Sequence, residues 1–415
     1  MYKNNGQRGA QVVAALVTIV TLTALSACSD DSGNNDDPSS ATIEAPEGSY
    51  PGKVAIGEPV KIGLINPEGG QAISSPENRE TAEAVVQYAN ENLAGIGGRP
   101  IEMISCKDHE EPASARDCAN QMVEAKVSAV VVTTTGLGNI MAPIITGAGI
   151  PYISASGGSS EEATRDSSYL WTGGYPENLT AMAIYAGQQG YKSVTAYTID
   201  VPTAVGGLTA IGVPAFKAQG IDLKVVTIPL GTADATPQVS AGIADNPEAV
   251  VVVGDATFCT TALKPLGTLG YSGEKLLLQT CATPTVVDAV GSSINESKVF
   301  SIAQTVGDHP ETLLYKSIMD KYSPDTDISG YAYVGYQGML GLVRATQSVQ
   351  GTDTSPAAVN AAIKSAKDVV LPAGGGLTFT CDGTISPTMK AVCGKGTILL
   401  TLEDGQLVDP EVIVN

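Results

Sequence analysis

The chain has 415 residues, 43% of them hydrophobic and only 16% charged, enough for two ordinary folded domains. Its formal net charge is −20, which argues against nucleic acid as a partner, because phosphate binding needs clustered Lys and Arg. Such a charge suits a solvated, exported surface.

The first residues read as an address. Lys3 and Arg8 precede an apolar core from Ala10 to Ala24 that is too short to span a bilayer with ease. It ends in Leu25-Ser26-Ala27-Cys28, which resembles a bacterial lipobox. That resemblance implies a signal peptide over 1–27, cleavage before Cys28 and a lipid on its sulfur. The Ser-, Asp- and Asn-rich stretch that follows cannot pack and reads as a flexible tether over 28–56.

Past Cys28 there are six cysteines: Cys106, Cys118, Cys259, Cys281, Cys381 and Cys393. An even number in an exported chain points to disulfides. Six cysteines allow fifteen connectivities. Pairing of neighbours is expected, 106–118, 259–281 and 381–393, and each short loop would contribute about 3 kcal/mol in the chain-entropy account. A zinc site is the rival, but there is no CxxC and only His109 and His309 are available.

The elements then alternate. Pro59–Pro67 reads as a strand, Pro76–Leu93 as a helix, Ile101–Cys106 as a strand and Ser114–Lys126 as a helix. Ala129–Val132 is a short apolar run of the kind found in buried parallel strands. A loop of Thr133, Thr134, Thr135 and Gly136 follows it, then a helix from about Asn139 to Gly147. Pro151–Ser154 is a strand that ends in Ala155-Ser156-Gly157-Gly158-Ser159. Two successive strands therefore end in loops of Ser, Thr and Gly. In an open α/β sheet that edge is where ligands bind, and small residues let a ligand approach the backbone. Trp171–Pro176 reads as a boundary between two lobes. Beyond it the helices are 178–189, 205–219, 238–244 and 260–269. The strands are 193–197, 222–228, 249–254 and 275–279. Helices over 311–322, 331–349 and 355–366 and strands over 377–380 and 396–403 complete the chain. The βα alternation predicts two α/β lobes, each a doubly wound parallel sheet.

Several phrases match a known family. Val60-Lys61-Ile62-Gly63-Leu64 opens the match, and Gly95–Ile101 (GIGGRPI) and Ala148–Ser154 (AGIPYIS) continue it. Gly374–Thr384, with Leu377-Thr378-Phe379 before Asp382-Gly383, closes it. Together they resemble the extracytoplasmic substrate-binding proteins of branched-chain amino acid ABC importers, the type I periplasmic-binding fold. The resemblance implies a multi-crossover hinge, with lobe 1 over 57–175 and 306–390 and lobe 2 over 176–305 and 391–415. It implies a monomer that needs no cofactor and closes on a small-molecule ligand. It also implies delivery of a small polar organic solute (amino acid, amide, urea or aromatic acid) to a membrane permease. The ligand carboxylate would sit on Thr135 and Gly136, with Ser156 and Gly158 from the next loop.

Two family features differ here. Asp255 stands where an aromatic often follows the second lobe's Val-rich strand, and Cys281 stands near the acid that holds a ligand ammonium. Asp255 is either a ligand-binding acid or the N-cap of the next helix. The only Glu near Cys281 is Glu274. Trp171 is read as lobe packing, Tyr331, Tyr333 and Tyr336 as helix packing, and Asp108–Glu111 as a solvated loop. Gly136-Leu137-Gly138 lacks the third glycine of a dinucleotide fingerprint. An enzyme is not expected: neither His joins a nucleophile motif. A sensor that signals to a membrane partner, or a secreted hydrolase, are the alternatives.

Overall fold

Ala129–Val132 is a strand with all four residues buried, and it pairs in parallel on both sides. It is β3 of a computed structural model that describes residues 44–70, 73–349, 351 and 353–413. The expected signal peptide, Cys28 and most of the expected tether lie outside the described residues. Among the described residues no helix is long and apolar enough to cross a membrane.

The first sheet comes from β1 (Val60–Pro67), α1 (Pro76–Asn92), β2 (Ile101–Asp108), α2 (Pro112–Glu124), β3, α3 (Gly138–Gly147), β4 (Tyr152–Ser154), α4 (Ser160–Thr164) and β5 (Ser168–Leu170). Its order is β2-β1-β3-β4-β5 and every pair is parallel. The chain then leaves for a second sheet. Its elements are α5 (Gly174–Gln188), β6 (Ser193–Ile199), α6 (Pro202–Gly207), α7 (Val213–Ala218), β7 (Asp222–Ile228), α8 (Thr236–Ile243), β8 (Ala249–Val253), α9 (Ala256–Thr268), β9 (Glu274–Leu278), α10 (Pro284–Val290) and β10 (Ser297–Ser301). Next, α11 (Pro310–Tyr322), α12 (Tyr333–Ala345) and α13 (Pro356–Ser365) return to the first sheet, where their apolar faces share one core with β1, β3 and α1. The small hairpin β11 (Val369–Val370) and β12 (Thr378–Phe379) follows. The chain ends on the second sheet with β13 (Thr397–Glu403) and β14 (Gln406–Ile413).

The second sheet runs β14-β13-β10-β9-β8-β6-β7. It is parallel from β7 to β10, but β13 and β14 join antiparallel, so the sheet is mixed. β14 escapes the sequence reading because Pro410 interrupts it. An edge strand tolerates a proline, and the pairing here shifts register between Leu399 and Thr401. The helix expected over 205–219 is one helical run, α6 to α7, with a π turn at Leu208–Gly212. Pro214 cannot donate to the turn before it, and the wider turn accommodates this.

All three disulfides join neighbours: Cys106–Cys118, Cys259–Cys281 and Cys381–Cys393. Trp171 is fully buried, stacks on Phe379 and donates its Nε1–H to Gly338 O. It is packing, as are Tyr333 and Tyr336.

The chain passes between the sheets three times: after β5, after β10 and before β13. One side chain ties the first passage to the third. Glu177 accepts from Gly173 N–H at 3.0 Å and from Gly396 N–H at 2.7 Å. Burial pushes its carboxyl above the usual range. The neighbouring Gly174 has φ +55°, and a side chain there would meet Gly157 O at 2.8 Å, so only glycine fits. Glu177→Ala strips both amides of their acceptor and should cost about 1–3 kcal/mol. Glu177→Gln keeps one carbonyl acceptor and should cost less. Urea unfolding midpoints at pH 7 check this, and equal midpoints for the two variants would contradict it.

Candidate functional site

Segments beyond the carboxyl ends of strands in the two sheets touch each other. Ala332 O accepts from Thr81 Oγ1 of α1 at 2.7 Å, which ties the 329–332 segment to the first half of the helix that follows β1. In the same segment, Gly330 lies against Thr283, which follows the end of β9 in the other sheet. Tyr331 packs on the cores of both lobes. Tyr175, just after the first crossover, donates to Ala204 O beyond the end of β6 at 3.4 Å.

Four of the expected site residues come together on the first edge. Thr135 and Gly136 lie in the loop after β3, and Ser156 and Gly158 in the loop after β4. Thr135 Oγ1 accepts from Leu137 N–H at 2.9 Å, and Ser154 Oγ accepts from Ser156 N–H at 3.2 Å. The second loop also touches the hinge: Thr172 Oγ1 donates to Ala155 O at 2.6 Å, and Gly174 sits on Ser156 and Gly157. Asp255 is on the other edge. Its carboxylate accepts from Phe258 N–H at 2.8 Å and caps α9, and burial raises its pKa above the ordinary value.

Two carboxylates missing from the sequence reading occupy the first edge. Glu110 accepts from Gly136 N–H at 3.1 and 3.3 Å. Glu162 accepts from Gly158 N–H at 3.1 Å, Ser159 N–H at 2.8 Å and Tyr152 OH at 2.7 Å. Glu162 had a local signal, since Ser159-Ser160-Glu161-Glu162 is a capping-box sequence and the box forms at α4. Glu110 had none.

The Asp108–Glu111 segment is solvated only in part: His109 and Glu111 are exposed, as expected, but Asp108 and Glu110 are not. Asp108 is 0% exposed and Glu110 is half-buried. Asp108 Oδ1 accepts from Ser114 Oγ at 2.6 Å and from Glu110 N–H at 3.1 Å, which turns Glu110 inward. Among the described residues no group of three or more His, Cys, Asp or Glu is arranged to hold a metal.

Cys281 is buried in its disulfide, and Glu274 is at the opposite end of β9. There Glu274 accepts from Tyr185 OH and Tyr191 OH, both at 2.9 Å. It cannot serve the carboxyl edge. Two surface hollows lie away from these loops. One, of about 430 Å³, is lined by Glu248, Glu274 and Lys275; the other, of about 540 Å³, by Glu311, Arg344 and Val370.

Burial, assisted by Asp108 and Glu162, pushes the Glu110 carboxyl from its ordinary 4.5 up to about 7, against hydrogen bonds from Thr135 and Gly136. Between those values the folded chain holds a proton that the unfolded chain has released. The contribution of Glu110 to stability therefore falls as pH rises through that window and stays low above it. Glu110→Gln does not titrate. The melting temperature of this variant minus that of wild type should grow more positive from pH 4.5 to pH 8. A difference independent of pH would refute the assignment.

No curated protein sequence matches the chain. Solved structures do. A leucine-binding protein, LivK, from Thermotoga maritima superposes with a TM-score of 0.72 at 19% identity, over 86% of this chain and 99% of the other. The branched-chain amino acid transporter substrate-binding protein LivJ from Streptococcus pneumoniae, solved with isoleucine, gives 0.71 at 19%, over 86% and 100%. A substrate-binding periplasmic protein from Ralstonia solanacearum gives 0.72 at 17%, over 85% and 100%. At these identities the likeness is one of fold, two α/β lobes of the type I periplasmic-binding kind. The family described as "Periplasmic binding protein" matches residues 59–396, and with most of its length covered the chain belongs to that family.

Proposed function

We propose that this protein is an extracytoplasmic solute receptor. It captures a small polar organic solute between its two lobes and delivers it to the permease of an ABC importer. Amino acids, amides, urea and aromatic acids are the candidate classes. Thr135, Gly136, Ser156 and Gly158 line one wall and Asp255 the other. A lipid on Cys28 tethers the receptor to the membrane, and 57–175 with 306–390 and 176–305 with 391–415 act as the moving bodies. It performs no chemistry on the solute.

The observation that carries this reading is the contact across the two edges. Gly330 and Tyr331 of one lobe meet Thr283 and the core of the other beside hydroxyl- and glycine-rich loops. The first of those loops to the hinge, at Ser156, abuts Gly174 and shares Thr172 with it. A solute resting on Ser156 therefore presses on the pivot that must move for closure, a coupling suited to hinge-type receptors. Glycine and small hydroxyl residues leave room for a ligand where a sheet ends. LivJ, with its bound isoleucine, provides the fold-level precedent.

A thermal-shift screen of the full chain against those four solute classes tests the reading. A binding solute at one hundred times its Kd adds about 2.7 kcal/mol of apparent stability. The expected result is a hit in one class and recovery of that solute unchanged after prolonged incubation. Ser156→Ala should weaken the hit about tenfold, the worth of one hydrogen bond. Conversion of the solute, or no hit in any class, would count against a transport receptor.

A further inference from the structure

We infer that Glu110 is a resident anion of the solute site, seated on the Gly136 amide, and that the site takes solutes offering a cationic or N–H donor group to it, not a free carboxylate to that amide. The inference rests on the solute role proposed above for the Thr135–Gly136 loop.

Both Glu110 oxygens lie within hydrogen-bond distance of Gly136 N, at 3.1 and 3.3 Å, and the Thr135 hydroxyl bonds the same carboxylate. An incoming ligand carboxylate would need the same two donors. Glu110 is not a swinging side chain on a loose loop. Its backbone sits at φ +55°, a left-handed conformation uncommon for Glu. The buried Asp108 holds its N–H, and Ser114 Oγ accepts from His109 N–H at 3.0 Å. His109 Nδ1 lies 2.8 Å from Glu68 O. The Cys106–Cys118 disulfide closes the segment on both sides. Displacing Glu110 would mean rebuilding that bracket.

The charges on this edge agree. Arg79 and Lys107 both pair with Glu68, at 2.8 Å each, and Arg165 pairs with Glu161 at 2.7 Å. These cations are already spent on structural carboxylates. Glu162 fills the second loop's amides in the same way, and its charge bears on Glu110. Above about pH 7, where Glu110 is ionised, a free anion entering here meets its charge, an arrangement that suppresses the wrong ligand. A donor-bearing solute meets the half-buried Glu110 as an acceptor, while Glu162, 1% exposed and already accepting three hydrogen bonds, stays out of reach. An independent observation points to a ligand. Thr134 Oγ1, in the loop between β3 and Gly136, is shielded from solvent and has no hydrogen-bond partner in the protein. A buried hydroxyl is seldom left unsatisfied. Amines, amides and guanidines are the solute chemistry that fits.

The test follows the Gly136 amide by NMR in full chain labelled with ¹⁵N-glycine, with methylammonium and acetate as probes at matched ionic strength and at about pH 8.5, above the value of about 7 to which burial raises Glu110. In wild type, methylammonium should shift Gly136 saturably while acetate binds at least tenfold more weakly. In Glu110→Ala the order should invert, with acetate gaining at least tenfold over wild type. Glu110→Gln keeps a side-chain acceptor and should lose the methylammonium response, which decides the matter if the alanine variant does not fold. Acetate acting on wild-type Gly136 as strongly as on the alanine variant would overturn the inference, as would an undiminished methylammonium response in Glu110→Gln. The solute screen fails separately. A hit confined to free carboxylates, unchanged by Glu110→Gln, would sink this inference and leave the receptor reading standing.

Discussion

Where a parallel strand stops, its ladder stops too, and the amides of the next loop need acceptors from elsewhere. In this protein carboxylates meet that need at four places. Glu110 takes Gly136, Glu162 takes Gly158 and Ser159, Asp255 takes Phe258, and Glu177 takes Gly173 and Gly396. A chain with 43 acidic and 23 basic residues has acceptors to spare. Two of these loops, after β3 and β4, are the ones proposed above to hold the solute. An amide already holding a side-chain carboxylate is no longer open to a solute's own.

The same constraint shapes the hinge. Glu177 joins two of three passages between the lobes, and it can do so because a side chain at Gly173 would collide with the Glu177 carboxylate at 2.6 Å. The second passage is held differently. Gln337 of α12 donates to Ile302 O at 3.0 Å and to Pro372 O at 2.8 Å, which pins it to the lobe of the first sheet. The segments at the first and third passages also meet through main-chain bonds, Leu170 N–H to Ala391 O and Cys393 N–H to Leu170 O, both at 2.8 Å. The passages are thus held by a few discrete hydrogen bonds and an isolated bridge, not by a continuous ladder.

Most of the fold was legible because its signals are local. Ala129–Val132 and Ala249–Val253 are apolar runs with no polar face, and each became a central parallel strand. The glycines and hydroxyls after β3 and β4 marked the carboxyl edge. The strands that escaped notice have weaker local patterns: β5 has three residues, β10 starts with Ser and Lys, and β14 carries Pro410. The site was legible in its loops and not in its occupants. Glu162 could be found from the capping-box spacing. Glu110 reaches Gly136 across 26 residues and past β1, which lies between β2 and β3 in the sheet, and its inward turn depends on a buried Asp108 and a disulfide. No periodicity records such a contact. Asp255 shows the opposite limit: an acid at a strand end reads equally as a ligand group or a cap, and only its bond to Phe258 N–H shows that it caps.

The disulfides belong to the same scheme. Cys106–Cys118 ties the end of β2 to α2 behind Glu110. Cys259–Cys281 ties α9, which Asp255 caps, to the turn after β9. Cys381–Cys393 lies beside the third passage, where Thr380 N–H donates to Cys393 O at 2.8 Å. Each crosslink stands near the carboxyl edge or at a crossover: Cys106 is two residues from the end of β2, Cys281 follows β9 and Cys393 precedes β13. In the chain-entropy account a loop of this length contributes about 3 kcal/mol wherever it stands, so global stability does not explain this placement. Rigidity at the edge is a better reason. A carboxylate can hold a main-chain amide in register only if the backbone carrying it does not drift. On the proposal above, the loops that hold the solute keep their shape through these crosslinks.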